Sequence, residues 1–211
     1  MKVIHFLYAT ALTVAVATQP VCAGIITYTS NAAFQAEVAA RGVALQTDSY
    51  EDLQQGFLSG PLHRSGHAVT TPGDHVFIID NVLDATDGTK SLGASGPRRP
   101  VTYTFETPIH AFAIEAVDAL SILGGDFTVQ IDGGQPVTLF SGQLASRNRQ
   151  FMGIIDATTP FTSLTFNATD FVDSWSFDNV QFGASAVPEP GAFVLVSAGL
   201  ACIVFRRTRR Q

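Results

Sequence analysis

Carboxylates are the residues of this chain best placed to do chemistry. The 211 residues include 18 aspartates and glutamates, and some are spaced for joint work. Glu51 and Asp52 follow an early strand-like run, and Asp173 and Asp178 fall at the last one. First and last strands of a β-sandwich often lie side by side, so these four form a candidate calcium site. A hard cation of this kind collects about six to eight carboxylate and carbonyl oxygens. A second group, Asp84-Ala85-Thr86-Asp87-Gly88, joins acids to a glycine turn but lacks the spacing of an EF-hand loop. Turn capping is the alternative for both groups, because a carboxylate at a turn satisfies backbone amides. Calcium is the one cofactor the sequence suggests.

Other chemistries find little support. His63 and His67 stand four apart, with His75 close by. On a helix that spacing would bring two imidazoles to one metal. Pro61, Ser65-Gly66 and Pro72-Gly73 make the stretch a loop instead, so these histidines are expected to be solvated. The two cysteines, Cys22 and Cys202, lie near the ends and leave the interior without a thiol. There is no Gly-x-Ser-x-Gly elbow, no Walker loop and no dinucleotide fingerprint. A glycosidase needs two facing carboxylates, but most acids here sit at turns. The interior is therefore expected to be non-enzymatic. Trp175, Tyr50 and Tyr103 would offer a sugar-stacking platform if exposed, although strand aromatics are mostly core.

The elements that must position these residues are mainly strands. Ala44–Tyr50, Val76–Ile79, Val101–Phe105, Ile109–Val117, Phe127–Ile131, Val137–Phe140, Phe151–Ile155, Phe161–Phe166 and Trp175–Phe182 are rich in β-branched and aromatic residues, and several alternate. Asp132-Gly133-Gly134 is a hairpin turn signal. Asn31–Arg41 is the one strong helical stretch, capped by Ser30 or Asn31 and ended by Gly42. These patterns predict an all-β, jelly-roll-like sandwich with one short N-terminal helix. The segment from Gly24 to Ala186 carries 7 basic and 17 acidic side chains, a net charge of −10. Such a domain repels phosphate backbones, which excludes nucleic acid as a partner.

Both ends have the character of targeting segments. Lys2, the apolar stretch Phe6–Ala17 and the small residues before Gly24 predict a signal peptide over residues 1–23, cleaved by signal peptidase between Ala23 and Gly24. At the other end, Val187-Pro188-Glu189-Pro190 is followed by 15 uncharged residues, Gly191–Phe205, and then by Arg206, Arg207, Arg209 and Arg210. Two prolines keep the motif extended. As a helix the apolar run would span about 22 Å, and the arginines would hold its end on the cytoplasmic side. The sequence thus predicts a signal peptide (1–23), an exported domain (24–186) and a C-terminal membrane-spanning signal (187–211).

This order of tripeptide, apolar helix and arginine tail resembles the PEP-CTERM sorting signal. The resemblance implies that Pro188, Glu189 and Pro190 are read by an exosortase, a membrane protease. Arg206, Arg207, Arg209 and Arg210 would then act as the stop-transfer tail. It further implies an inner-membrane-anchored precursor in a bacterium that makes exopolysaccharide. The mature protein would end at the cell surface, the outer envelope or the extracellular matrix. The interior is also similar, at Ser49–Leu53, Pro108–Glu115, Phe151–Ile155 with Pro160–Leu164, and Trp175–Val180, to domains that such proteins commonly carry. The role expected on this basis is that of a non-enzymatic envelope or matrix protein linked to exopolysaccharide or biofilm, with a carbohydrate-binding module as the alternative and a secreted hydrolase behind it.

Overall fold

The computed structural model describes residues 24–58, 60–72, 76–81, 83, 85–86, 88–94, 100–169 and 175–184. In chain order these form β1 (Ile25–Tyr28), α1 (Asn31–Ala40), β2 (Gln46–Asp48), β3 (Gly56–Phe57), β4 (Leu62–Arg64), β5 (His67–Thr70), β6 (Val76–Asp80), β7 (Lys90–Ala94), β8 (Val101–Ile109), β9 (Ala111–Val117), β10 (Asp126–Ile131), β11 (Val137–Ser141), β12 (Arg149–Asp156), β13 (Phe161–Ala168) and β14 (Trp175–Gly183). The larger sheet has the order β1-β12-β9-β14-β7-β6-β3, with β2 also paired to β14. The smaller sheet runs β11-β10-β13-β8-β5-β4. All recorded pairings are antiparallel. The described residues therefore form the expected all-β sandwich with one short helix.

Alternation produces the core. In β8, Val101, Tyr103 and Phe105 point inward while Thr104 and Glu106 do not. Phe112, Ile114 and Ala116 of β9 face them from the other sheet, joined by Phe127, Phe166 and Phe177. The rings meet edge-on or tilted, as with Tyr103–Phe166 at 6.1 Å and 87°. Burying each such side chain contributes about 1.5–3 kcal/mol.

Helix α1 lies on the outer face of the larger sheet. The Ser30 hydroxyl accepts the Ala33 amide at 3.4 Å and starts the helix. Phe34 and Val38, one turn apart, are its buried residues and pack on Ala111, Ala113 and Ile155. Gly153 makes this contact possible, since a Cβ there would stand 2.6 Å from the Phe34 ring.

Two features bear on function. Strand β14 is interior to its sheet and shared along its length. Trp175–Phe177 pair with β7 and Val180–Phe182 with β2, while β9 runs along the other side. The handover coincides with a bulge at Asp178–Gln181, where Asn179 has φ 52°. The second feature corrects the sequence reading of residues 61–70 as a loop. Leu62–Arg64 and His67–Thr70 form an edge hairpin through Gly66, at φ 82°, and β5 pairs with β8. Leu62, His67 and Val69 point inward, but a histidine within a run this short hides the alternation.

Among the described residues no helix is long and apolar enough to cross a membrane. The signal peptide up to Ala23, the motif Pro188, Glu189 and Pro190, the apolar run and the arginine tail all lie outside the described residues.

Candidate functional site

The site grows from the edge where β2 and the β4–β5 hairpin come together. Asp48 ends β2, and its Oδ1 accepts the Tyr50 amide at 3.1 Å. This turn throws Tyr50 to φ 61°, an unusual conformation for a bulky residue. The compensation is full burial of its ring and a 3.0 Å hydrogen bond between the Tyr50 and Tyr103 hydroxyls. Burial pushes both phenols above the ordinary tyrosine range, so both stay protonated.

Arg64 crosses from the smaller sheet to meet Asp48. Its Nε and Nη2 donate to Asp48 Oδ2 and Oδ1 at 2.7 and 2.8 Å. The same guanidinium donates to Asp52 Oδ1 and Oδ2 at 2.6 and 3.0 Å. One arginine thus bridges two carboxylates and ties the edges of the two sheets together. Its hydrogen bonds to Asp48 and Asp52 raise its own pKa, and its hydrogen bonds to Asp52 hold that carboxyl below the usual range. Behind this network lies His67, whose side chain is wholly buried against Phe182, Tyr103 and Phe105. Neither ring nitrogen has a hydrogen-bond partner, and Nε2 stands 3.8 Å from Asp48 Oδ2. Burial lowers its pKa, the nearby Asp48 opposing.

A cleft of about 360 Å³ opens over the network, lined by Gln46, Thr47, Asp48, Asp52, Arg64, Ser65 and Phe182. Gln46, Thr47 and Ser65 are exposed, and their side chains make no hydrogen bond among the described residues. Gly66 closes the wall on Phe182, since a Cβ there would come within 3.1 Å of that ring.

Three of the four residues of the calcium expectation are among the described residues. Asp52 faces Arg64, while Glu51 Oε1 accepts the amides of Thr89 and Lys90 at 2.9 and 2.7 Å. Asp178 is fully buried. Its Oδ2 accepts the Thr86 amide and hydroxyl at 2.6 and 3.1 Å. Glu51 and Asp178 therefore grip the same segment between β6 and β7, and Asp173 lies outside the described residues. Among the described residues no three His, Cys, Asp or Glu side chains converge to hold a metal.

The aromatics are placed differently from the stacking platform considered above. Trp175 is 7% exposed and meets Phe127 edge-on at 4.8 Å, and Tyr50 and Tyr103 are buried. Phe57 is instead 76% exposed, its ring 5.4 Å from that of Phe77. His63 is exposed as expected, but His67 is core, because its strand alternates inward there. Arg64 was the residue most findable in the sequence. It is the only arginine or lysine between Arg41 and Lys90, and an isolated cation among acids is a natural partner for them.

Comparison with known proteins gives one specific result. Residues 186–210 match the model of the PEP-CTERM protein-sorting motif, so the chain carries that sorting signal. No curated protein matches the sequence. Among solved structures, the CBM22-1 xylan-binding domain of Paenibacillus barcinonensis Xyn10C is 16% identical, with a TM-score of 0.43 over 69% of this chain and 98% of its own. A family 29 carbohydrate-binding module complexed with mannohexaose is 8% identical, with a TM-score of 0.39 over 68% and 93%. The C-terminal CBM6 of LamC from Zobellia galactanivorans is 12% identical, with a TM-score of 0.37 over 66% and 99%. At such scores none of them says what this chain binds.

Proposed function

We propose that this chain is an exported, non-enzymatic protein of the bacterial envelope or extracellular matrix. An exosortase-type protease delivers it, and it works in association with exopolysaccharide. The observation that carries the reading is the sorting motif at residues 186–210, which begins just after β14 ends at Gly183. The seven residues 184–190 reach at most about 25 Å when extended. The sandwich is therefore held close to wherever the motif is read.

The cleft gives the hydrolase alternative no support. A glycosidase needs two carboxyls facing each other across the scissile bond, whereas Asp48 and Asp52 both turn to the same arginine.

Replacing Pro188, Glu189 and Pro190 together with alanine tests the reading in cells. Export across the inner membrane should continue, while an unprocessed, membrane-bound form accumulates. Processing and delivery like the wild type would show that the tripeptide is not the signal.

A further inference from the structure

We infer that the cleft bounded by Gln46, Thr47, Asp48, Asp52, Arg64, Ser65 and Phe182 is a binding site for a neutral saccharide unit. The inference deepens the exopolysaccharide part of the reading above, on which it rests, and names the place of contact.

The lining selects the ligand. Only Phe182 among the seven residues is apolar, so a hydrophobic ligand finds little to bury against. Arg64 is spent, with four hydrogen bonds directed to Asp48 and Asp52. An incoming anion would meet two carboxylates and no free cation. The carboxylates themselves are not saturated. A carboxylate offers about four acceptor positions, and Asp52 uses two of them. The exposed oxygens of Asp52 therefore ask for donors. Gln46, Thr47 and Ser65 offer uncharged groups that both donate and accept, and among the described residues their side chains have no partner. A simple cation brings no acceptor for the amide and the hydroxyls, whereas sugar hydroxyls supply donors and acceptors together. Phe182, 4% exposed, contributes only a sliver of apolar surface, so the polar groups carry the recognition. The volume, about 360 Å³, lies at the lower end of the range for small-molecule sites, which is about 300–1,000 Å³.

The ion network makes the site rigid before a ligand arrives. Asp48 is fixed by Arg64 and by the Tyr50 amide, and Ser65 by the tight turn at Gly66. Thr47 is held in register against Gln181. Little ordering is then left for binding to cost.

The test uses the full-length chain purified in mild detergent, applied to an array of neutral, amino, uronic and sulphated oligosaccharides. Neutral oligosaccharides should bind. The double variant Thr47→Ala/Ser65→Ala should weaken binding by about tenfold, equal to one or two hydrogen bonds lost. Both residues are exposed, so its melting curve should match the wild type. Four results would overturn the inference: no neutral saccharide bound at millimolar concentration, a preference for uronic or sulphated chains, undiminished binding by the double variant, or loss of binding in Phe57→Ala alone. Sorting is read in cells and binding on the purified chain, so either reading can fail without the other.

Discussion

Asp48 and Asp52 share one arginine but differ in what they stand to lose. The Asp48 side chain is 12% exposed and that of Asp52 69%. Arg64→Leu should therefore destabilise the fold by about 2–4 kcal/mol, because it strands the Asp48 carboxylate beside the core. Asp52→Ala should change stability far less, because water screens that exposed pair. Urea unfolding of both variants checks the contrast, and equal effects would mean that Arg64 matters through Asp52. His67 makes a pH prediction. Its pKa is lowered in the folded protein, mainly by burial, with Asp48, the Ser65 backbone and Glu106 pulling up and Arg64 pushing down. Above the ordinary histidine value of about 6.5 both states are neutral and nothing is lost. As pH falls below it, the unfolded chain takes the proton first, so stability declines until the folded-state pKa is passed. Each tenfold loss of proton affinity corresponds to about 1.4 kcal/mol. His67→Leu removes the titrating group, so its melting temperature should fall less than that of the wild type between pH 7 and pH 5. Parallel curves would remove His67 as the cause. The sequence marks Arg64 as a lone cation but not its partner, since Asp48 lies on the other sheet, and a short hairpin conceals the buried His67.

At the scale of elements, the best-read parts were those whose signals are local. Ser30 caps α1, Asp132-Gly133-Gly134 turns β10 into β11, and Val101, Tyr103 and Phe105 alternate as a strand should. Pairings such as β2 with β14 depend on distant partners and leave no local mark. The segment between β6 and β7 shows what a distant partner adds. Glu51 holds its end through the Thr89 and Lys90 amides, and Asp178 holds its middle through Thr86. Gly88 has φ 75° with the Glu51 carboxylate directly over its Cα. Gly88→Ala should cost about 1–3 kcal/mol, from backbone strain and from displacing Glu51. Amide exchange at Thr89 and Lys90 should speed up in that variant, and unchanged exchange would show that the grip is dispensable. Calcium at Glu51, Asp52 and Asp178 would compete with these amides and with Arg64. If it binds there, excess chelator should lower the melting temperature, since an ion at a hundred times its dissociation constant adds about 2.7 kcal/mol. An unchanged melting curve would remove the calcium proposal.

For the whole molecule, the most readable information lay in the C-terminal end. The order of motif, apolar run and arginines named the sorting signal, which the match over residues 186–210 supports. We propose that signal cleavage follows Ala23, so N-terminal sequencing of the exported protein should begin at Gly24. Finding Met1 intact would overturn this. The cleft was not readable, because it is assembled from β2, the β4–β5 turn and the end of β14. The place of β14 also dictates an order of events in time. The last described strand is an inner strand of its sheet, with neighbours on both flanks. Until it arrives, β9 lacks a neighbour on one side, and β2 has nothing to pair with. A chain exported N-terminus first must therefore wait, unfinished, until its final residues cross. The sandwich should close only when the sorting segment reaches the membrane. Folding and delivery then share one clock, and a chain stalled before Gly183 should be degraded rather than released as a folded half.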